Sequence, residues 1–437
     1  MQSLEADILV RGCTILPMVG PEVIDGGLLA IGDDRLSYVG KASRAPRIRA
    51  EKLINGRGKV ALPGLINCHT HVSMTLFRGV GEDQALDQWL GETIWPLEAK
   101  LKPRDIYYGA LLGCLEMIKG GTTCFADMYF REDMVVKAVE EAGLRAVLAP
   151  GIIEAGNEER GEDLLREGIK IVQKYHGSTR GRISVNLGPH AAYTCSPHLL
   201  KRVREEASRL GVGIHIHLAE SEGMGKQIKE RYGLTEGELL ESIGFLGPDI
   251  LAAHCIHLST KEMELLARHG VKVAYNPVAN MKLALGTARI GELMDLGVNV
   301  GLGTDGPANN NNLDMLQNLK IAALLQKVYY MDPTVLPVRR ALEMATIHGA
   351  KALGLEGVTG SLEAGKKADI ILIDFRKPHL TPVHDPYANI VYSAHGEDVD
   401  TVIVDGKILM ENREVKTLKE EEVMQKAHRT ALDLLTR

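Results

Sequence analysis

Between Gly64 and about Thr304 the chain alternates short apolar runs with longer amphipathic stretches, and it does so eight times. Few folds accept such a sequence, because a run of strand, covering helix and strand again demands a parallel sheet with helices on its faces. The strand candidates are Leu65–His71, Thr122–Asp127, Arg145–Ala149, Ile183–His190, Gly213–Leu218, Ile250–His254, Val271–Tyr275 and Val298–Asp305. Each is short and aliphatic, and each is bounded by Gly, Pro or a polar residue. The stretches Met134–Ala142, Pro197–Leu210 and Lys261–His269 carry apolar residues at i, i+3 and i+4, as a helix lying on a sheet requires. Ser259-Thr-Lys-Glu262 adds an N-cap with an acid three residues on. Eight such pairs in about 250 residues make a (β/α)8 TIM-like barrel the expected architecture.

The ends follow a different pattern. Residues 1–60 and 367–410 contain short alternating runs, among them Asp7-Ile-Leu-Val-Arg-Gly12 and Asp400-Thr-Val-Ile-Val-Asp405. Neither set has enough strands to stand alone, so both termini are expected to pair into one small β-sandwich domain. The expected division is 1–60 for the N-terminal part of that domain and 61–360 for the barrel. Residues 361–437 supply its C-terminal part and a terminal helix over Lys419–Arg437.

Composition narrows the function classes. The chain has 437 residues, 45% of them hydrophobic and 25% charged, the profile of an ordinary globular protein. A net charge of −6 with scattered Lys and Arg, and only 4% aromatics, gives a polyanion nothing to grip, so no nucleic acid is expected as a partner. The first residues are acidic rather than basic, and no 18-residue apolar run occurs; we expect no membrane association and a cytoplasmic location. The six cysteines are dispersed, without a Cys-x-x-Cys, which fits reduced buried thiols. Neither Gly-x-x-x-x-Gly-Lys-Ser/Thr nor a strand-borne Gly-x-Gly-x-x-Gly is present.

Chemistry collects at the strand ends. His69-Thr-His71 closes the first strand, where a period of two sends both imidazoles the same way. His217, His254 and Asp305 each close a different later strand, and the carboxyl ends of barrel strands converge on one face. Imidazoles with a carboxylate suit one divalent metal, zinc first, with Fe, Mn or Ni also compatible. Glu220, three residues past His217, is placed to carry protons beside such a metal, or else to favour the helix that starts at Ser221. His215 points as His217 does but about 6.6 Å deeper, and reads as packing. Taken singly, His254 also reads as a core group and Asp305-Gly306 as a turn.

The segments Leu62-Pro-Gly-Leu-Ile-Asn-Cys-His-Thr-His71, His217-Leu-Ala-Glu220, Ala253-His-Cys255 and Gly303-Thr-Asp-Gly306 resemble the amidohydrolase superfamily over nearly the whole length. Within it the chain is similar to 5-methylthioadenosine/S-adenosylhomocysteine deaminases, a group that includes 5'-deoxyadenosine deaminases. That likeness rests on His71-Val-Ser-Met-Thr-Leu-Phe-Arg-Gly79, Trp89, Pro96-Leu-Glu98, Gly188-Pro-His190 and Asn276-Pro-Val-Ala-Asn280. The resemblance implies that His69, His71, His217 and Asp305 bind one metal and that His254 contacts its water. It further implies that Glu220 protonates purine N1, that Glu98 and His190 hold the sugar, and that Trp89 lines the pocket. The implied reaction is hydrolytic deamination of an adenine nucleoside, at a mononuclear site without a carboxylated lysine.

The chain departs from the group at two places. Where members that take S-adenosylhomocysteine carry an arginine after the third strand, this sequence reads Ala149-Pro-Gly151, and Arg160 is the nearby substitute; Asn309 stands where serine is usual. These departures favour an apolar 5' group, and Pro150→Arg is expected to shift preference toward S-adenosylhomocysteine. The rival readings are a hydrolase of guanine, a triazine or another amino-heterocycle, and a non-catalytic scaffold homologue. A homo-oligomer is expected, as for many barrels.

Overall fold

The computed structural model describes residues 4–20 and 22–437. All eight expected barrel strands are present: Leu65–Thr70, Thr122–Tyr129, Arg145–Ile152, Ile183–Val185 continued by Gly188–Pro189, Ile214–Leu218, Ile250–His254, Lys272–Tyr275 and Val300–Leu302. They pair in parallel and in sequence order, as two four-strand arcs. Backbone bonds join the arcs on one side, from Leu187 N–H to Gly213 O and from His215 N–H to Leu187 O. On the other side Asp305 N–H donates to His69 O at 2.9 Å. Gly303 allows that close approach, since a Cβ there would sit 2.3 Å from Asn276 Oδ1 and 3.0 Å from His69 N.

The fourth strand is interrupted where a continuous one was expected. Asn186 turns its side chain into the ladder, accepting Gly213 N–H at 3.1 Å, while its own N–H donates to Leu148 O. The first strand also differs: Asn67 lies opposite Phe125 and Thr70 opposite Asp127, so it carries one extra residue. Such a bulge re-aims side chains, and it stands where the chemistry collects. His71 falls just beyond the strand, at the start of a 3-10 turn over Val72–Phe77.

Helices cover the barrel as the apolar spacing requires, including Glu132–Ala142, Pro197–Leu210 and Thr260–His269. The last begins with the expected capping box: Ser259 Oγ accepts Glu262 N–H and Glu262 Oε2 accepts Ser259 N–H. Both termini build one nine-stranded sheet, joined where Lys59–Pro63 runs antiparallel to Ile370–Asp374. Ile8, Val10, Leu29 and Ile31 from one half meet Ile370, Leu372 and Ile403 from the other in a shared core, so the sandwich is a single continuous sheet. Arg145 of the third barrel strand pairs with Asp369 at 2.8 Å and Asp405 at 3.2 Å, tying sheet to barrel through a buried ionic contact. A terminal helix spans Glu420–Thr436. Among the described residues no helix is long and apolar enough to cross a membrane, and all six cysteines are buried and unpaired.

Candidate metal centre and substrate cavity

His69, His71, His217, His254 and Asp305 meet at one point at the carboxyl ends of the first, fifth, sixth and eighth strands. The donor atoms of His69, His71 and His217 lie within 4.8 Å of one another, and so do those of His69, His254 and Asp305. Asp305 Oδ1 is 3.5 Å from His69 Nε2 and 3.4 Å from His71 Nε2, too long for hydrogen bonds and open enough for an ion between them. His69 Nε2 and Asp305 Oδ2 are buried and have no hydrogen-bond partner among the described residues. Buried polar atoms are normally satisfied, so this donor set fits a cation.

The far side of each ring is tied down. His71 Nδ1 donates to Met128 O at 2.6 Å and His217 Nδ1 to His190 O at 2.8 Å. His254 Nδ1 reaches Asn280 Oδ1 at 3.0 Å. His69 Nδ1 meets His215 Nε2 at 2.9 Å, which corrects the reading of His215 as packing: it is a hydrogen-bond partner of a site histidine. The carbonyl acceptors fix the tautomers of His71 and His217, and together these contacts leave the Nε2 atoms of the four rings facing the common centre. The backbone is strained at the same place. Ala219, His254, Cys255 and Asp305 all have φ between 49° and 73°, a left-handed conformation costing roughly 1–3 kcal/mol each for a non-glycine residue. Strain of that kind concentrates where side chains must be aimed rather than packed.

Burial sets the charge states. It pulls His69 down to about 4 and His190 to about 3, and holds His71 and His217 below their ordinary value, so these rings are neutral at pH 7 and have lone pairs to offer. His254 goes the other way: burial lowers it, but the Glu220 and Asp305 carboxylates outweigh burial and raise it. Glu220 Oε1 lies 3.6 Å from His254 Nε2, and burial raises the Glu220 carboxyl although His254 opposes this. Glu220 follows Ala219, whose N–H is held by Glu236 Oε2 at 3.1 Å, and it precedes Ser221, which caps the helix Glu222–Tyr232.

A cavity of about 650 Å³, its open mouth included, runs from this centre to the surface. His71, His217, Glu220, His254 and Asp305 form its floor, and Trp89, Glu98, His190 and Asn309 stand in its walls with Met128, Phe130 and Ile153. Glu98 accepts a hydrogen bond from the Tyr129 hydroxyl at 2.7 Å, and burial pushes its carboxyl up to about 7. Arg160 stands apart from this cavity, exposed on a neighbouring groove that shares Trp95, Glu98, Phe130 and Ile153 with it. The expectation for Pro150 is corrected as well. Gly151 faces the cavity, whereas the Pro150 ring packs 3.8 Å from where a Gly168 Cβ would lie, against the covering helix Glu158–Tyr175.

Residues 60–409 match the amidohydrolase family. The chain belongs to that family. Members are metal-dependent, in keeping with the donor set described above. This amidohydrolase is 53% identical to a protein of Moorella thermoacetica named 5-methylthioadenosine/S-adenosylhomocysteine deaminase, an alignment covering 95% of this chain and 97% of the relative. It is 50% identical to a 5'-deoxyadenosine deaminase of Methanosarcina acetivorans, over 99% of both chains. Among solved structures, an adenosine deaminase from Xanthomonas campestris with bound zinc superposes with a TM-score of 0.96 at 29% identity, covering 100% of both chains. A zinc complex of atrazine chlorohydrolase from Arthrobacter aurescens superposes at 0.88 with 26% identity, over 97% of this chain and 100% of the other.

Two contacts of this site escaped the sequence. Tyr129 gives no local sign that its hydroxyl reaches Glu98, and Glu236 looks like any first-turn acid. Asn280 carried a signal, since its motif was singled out, but only the fold shows it holding His254.

Proposed function

We propose that this amidohydrolase hydrolytically deaminates adenosine derivatives, among them 5'-deoxyadenosine, 5'-methylthioadenosine, S-adenosylhomocysteine and adenosine, to the inosine derivatives and ammonia. The observation carrying the reading is the meeting, on one cavity floor, of unpartnered His69 Nε2 and Asp305 Oδ2 with a Glu220–His254 pair. His69, His71, His217 and Asp305 would hold one divalent cation, zinc in our reading, which when bound supplies Lewis-acid activation of water at neutral pH.

The remaining work falls to the chain. Glu220, whose burial favours the protonated form, delivers a proton to purine N1 and makes C6 electrophilic. Asp305 and His254, 3.8 Å apart, orient the attacking water, and the Asp305 carboxylate accepts its proton as oxygen adds to C6. The proton taken from water passes to N6, the C6–N6 bond breaks and ammonia leaves, while the new hydroxyl becomes the carbonyl by returning its proton to the Glu220 carboxylate. Glu98 and His190 hold the sugar hydroxyls, Trp89 covers the ring, and Asn309, whose buried Oδ1 lacks a partner among the described residues, is free to accept from substrate. Gly151 on the cavity wall, with Arg160 set off in the adjoining groove, supports a preference for an uncharged 5' group. The same reading includes a homo-oligomer in the cytoplasm that binds no nucleic acid, and a chain divided at about residues 60 and 360.

The structural likeness to a triazine-type hydrolase keeps another amino-heterocycle as the second reading. Ammonia release from zinc-loaded protein, measured over 5'-modified adenosines, guanine and aminotriazines at equal concentration, separates the two. Release from the nucleosides alone is expected, and release confined to free bases or triazines would overturn the proposal.

A further inference from the structure

The second barrel strand ends beside two carboxyls that the reaction does not use. Asp127 and Glu132 are both fully buried. Asp127 Oδ1 accepts the N–H of Val72, the residue after His71, at 2.6 Å. Glu132 Oε1 accepts the N–H of Tyr129, the residue after Met128, at 3.1 Å. Between those two gripped peptides runs the bond from His71 Nδ1 to Met128 O. The second oxygens, Asp127 Oδ2 and Glu132 Oε2, have no hydrogen-bond partner among the described residues. Burial pushes Asp127 up to about 8 and holds Glu132, with the Asp127 carboxyl nearby, well above its ordinary range.

The two acids therefore grip the chain at two strand ends, Asp127 through the Val72 N–H past the first strand and Glu132 through the Tyr129 N–H at the end of the second. The bond that orients the His71 ring joins the same two strand ends. A carboxyl at the first turn of the helix Glu132–Ala142 would be ordinary as a dipole partner in contact with water, but this one is sealed from solvent near a second buried acid. Burying two acids is costly, and a simpler apolar pair would close the turn as well.

We infer that Asp127 and Glu132 form a positioning clamp that sets the His71 imidazole by fixing the peptides on either side of its bond to Met128; this rests on the reading of His71 as a cation ligand. Partners that orient ligands in this way are worth about 10–100-fold in metal affinity.

The test is zinc affinity of the metal-stripped full chain, by competition with a chromophoric chelator, alongside thermal unfolding of the same stripped protein. Asp127→Asn keeps the acceptor for the Val72 N–H, so affinity is expected within about 3-fold of wild type. Asp127→Leu, and from the other side Glu132→Met, are expected to weaken zinc about 10–100-fold. A role confined to stability would lower the unfolding midpoint and leave the affinity of folded protein alone. Either apolar variant, folded and binding within 3-fold of wild type, overturns the clamp, as does an Asn variant that loses as much as the Leu variant. Should both apolar variants fail to fold, the cobalt(II) spectrum of Asp127→Asn decides: unchanged ligand-field bands support the clamp and altered bands refute it. Wild type that binds no zinc would bring down the ligand reading itself, and the clamp with it.

Discussion

Replacing His215 by Leu removes the partner of His69 Nδ1, 2.9 Å away in a fully buried setting. The orphaned N–H costs the folded state about 1–3 kcal/mol whether or not metal is bound, and this shows as a lower unfolding midpoint of stripped protein. A second loss appears only in metal binding, because the ring is free to turn and its Nε2 becomes less basic. Losses of this kind run to about 10–100-fold in affinity, or about 1.4–2.7 kcal/mol. His215→Gln places a carbonyl oxygen near the same position and is expected to recover most of the affinity. The assay is chelator competition at pH 7.5 on stripped protein, which reads affinity apart from turnover. Zinc binding by His215→Leu within twofold of wild type would refute the argument that His215 orients His69.

Further outcomes follow from the same geometry. Glu220→Gln is expected to keep its metal and lose about 10²–10⁴-fold in kcat, the usual contribution of a positioned acid or base; near-normal turnover would remove Glu220 from proton delivery. Glu98 has a carboxyl pushed by burial to about 7, so it is ionised only above that pH, and kcat/KM is expected to rise as pH increases through 7. Tyr129→Phe removes the hydrogen bond that opposes burial, and the pH profile should show this acid limb displaced upward. Gly151→Arg should raise the kcat/KM ratio of S-adenosylhomocysteine to 5'-deoxyadenosine, while Pro150→Arg, aimed at the covering helix, should leave that ratio unchanged.

The barrel was legible because its constraint is periodic. Short apolar runs in a fixed alternation with amphipathic stretches leave little choice of architecture, and strand ends then place sequence-distant residues on one face. His217 and His254 could be set beside His69 on that ground alone. The bulge between Asn67 and Thr70 could not, since it depends on pairing with the second strand, and the first strand read as regular to His71. His215 was misjudged for a related reason. It is buried, but the ring it reaches lies across the barrel, and periodicity along one strand says nothing of contacts across the interior. Pro150 and Gly151 show the limit of one-residue precision: which of two neighbours faces the cavity inverts with a single step along a strand. The interrupted fourth strand turned on the Asn186 side chain taking the place of a backbone partner, a choice no propensity encodes.

The central claim is that one cation, held by His69, His71, His217 and Asp305, is required for deamination. Titrating zinc into stripped protein while following the absorbance change of 5'-deoxyadenosine tests it directly. Activity should be absent at the start and reach its plateau at one equivalent per chain. Full activity without metal, or a plateau only at two equivalents, would contradict it.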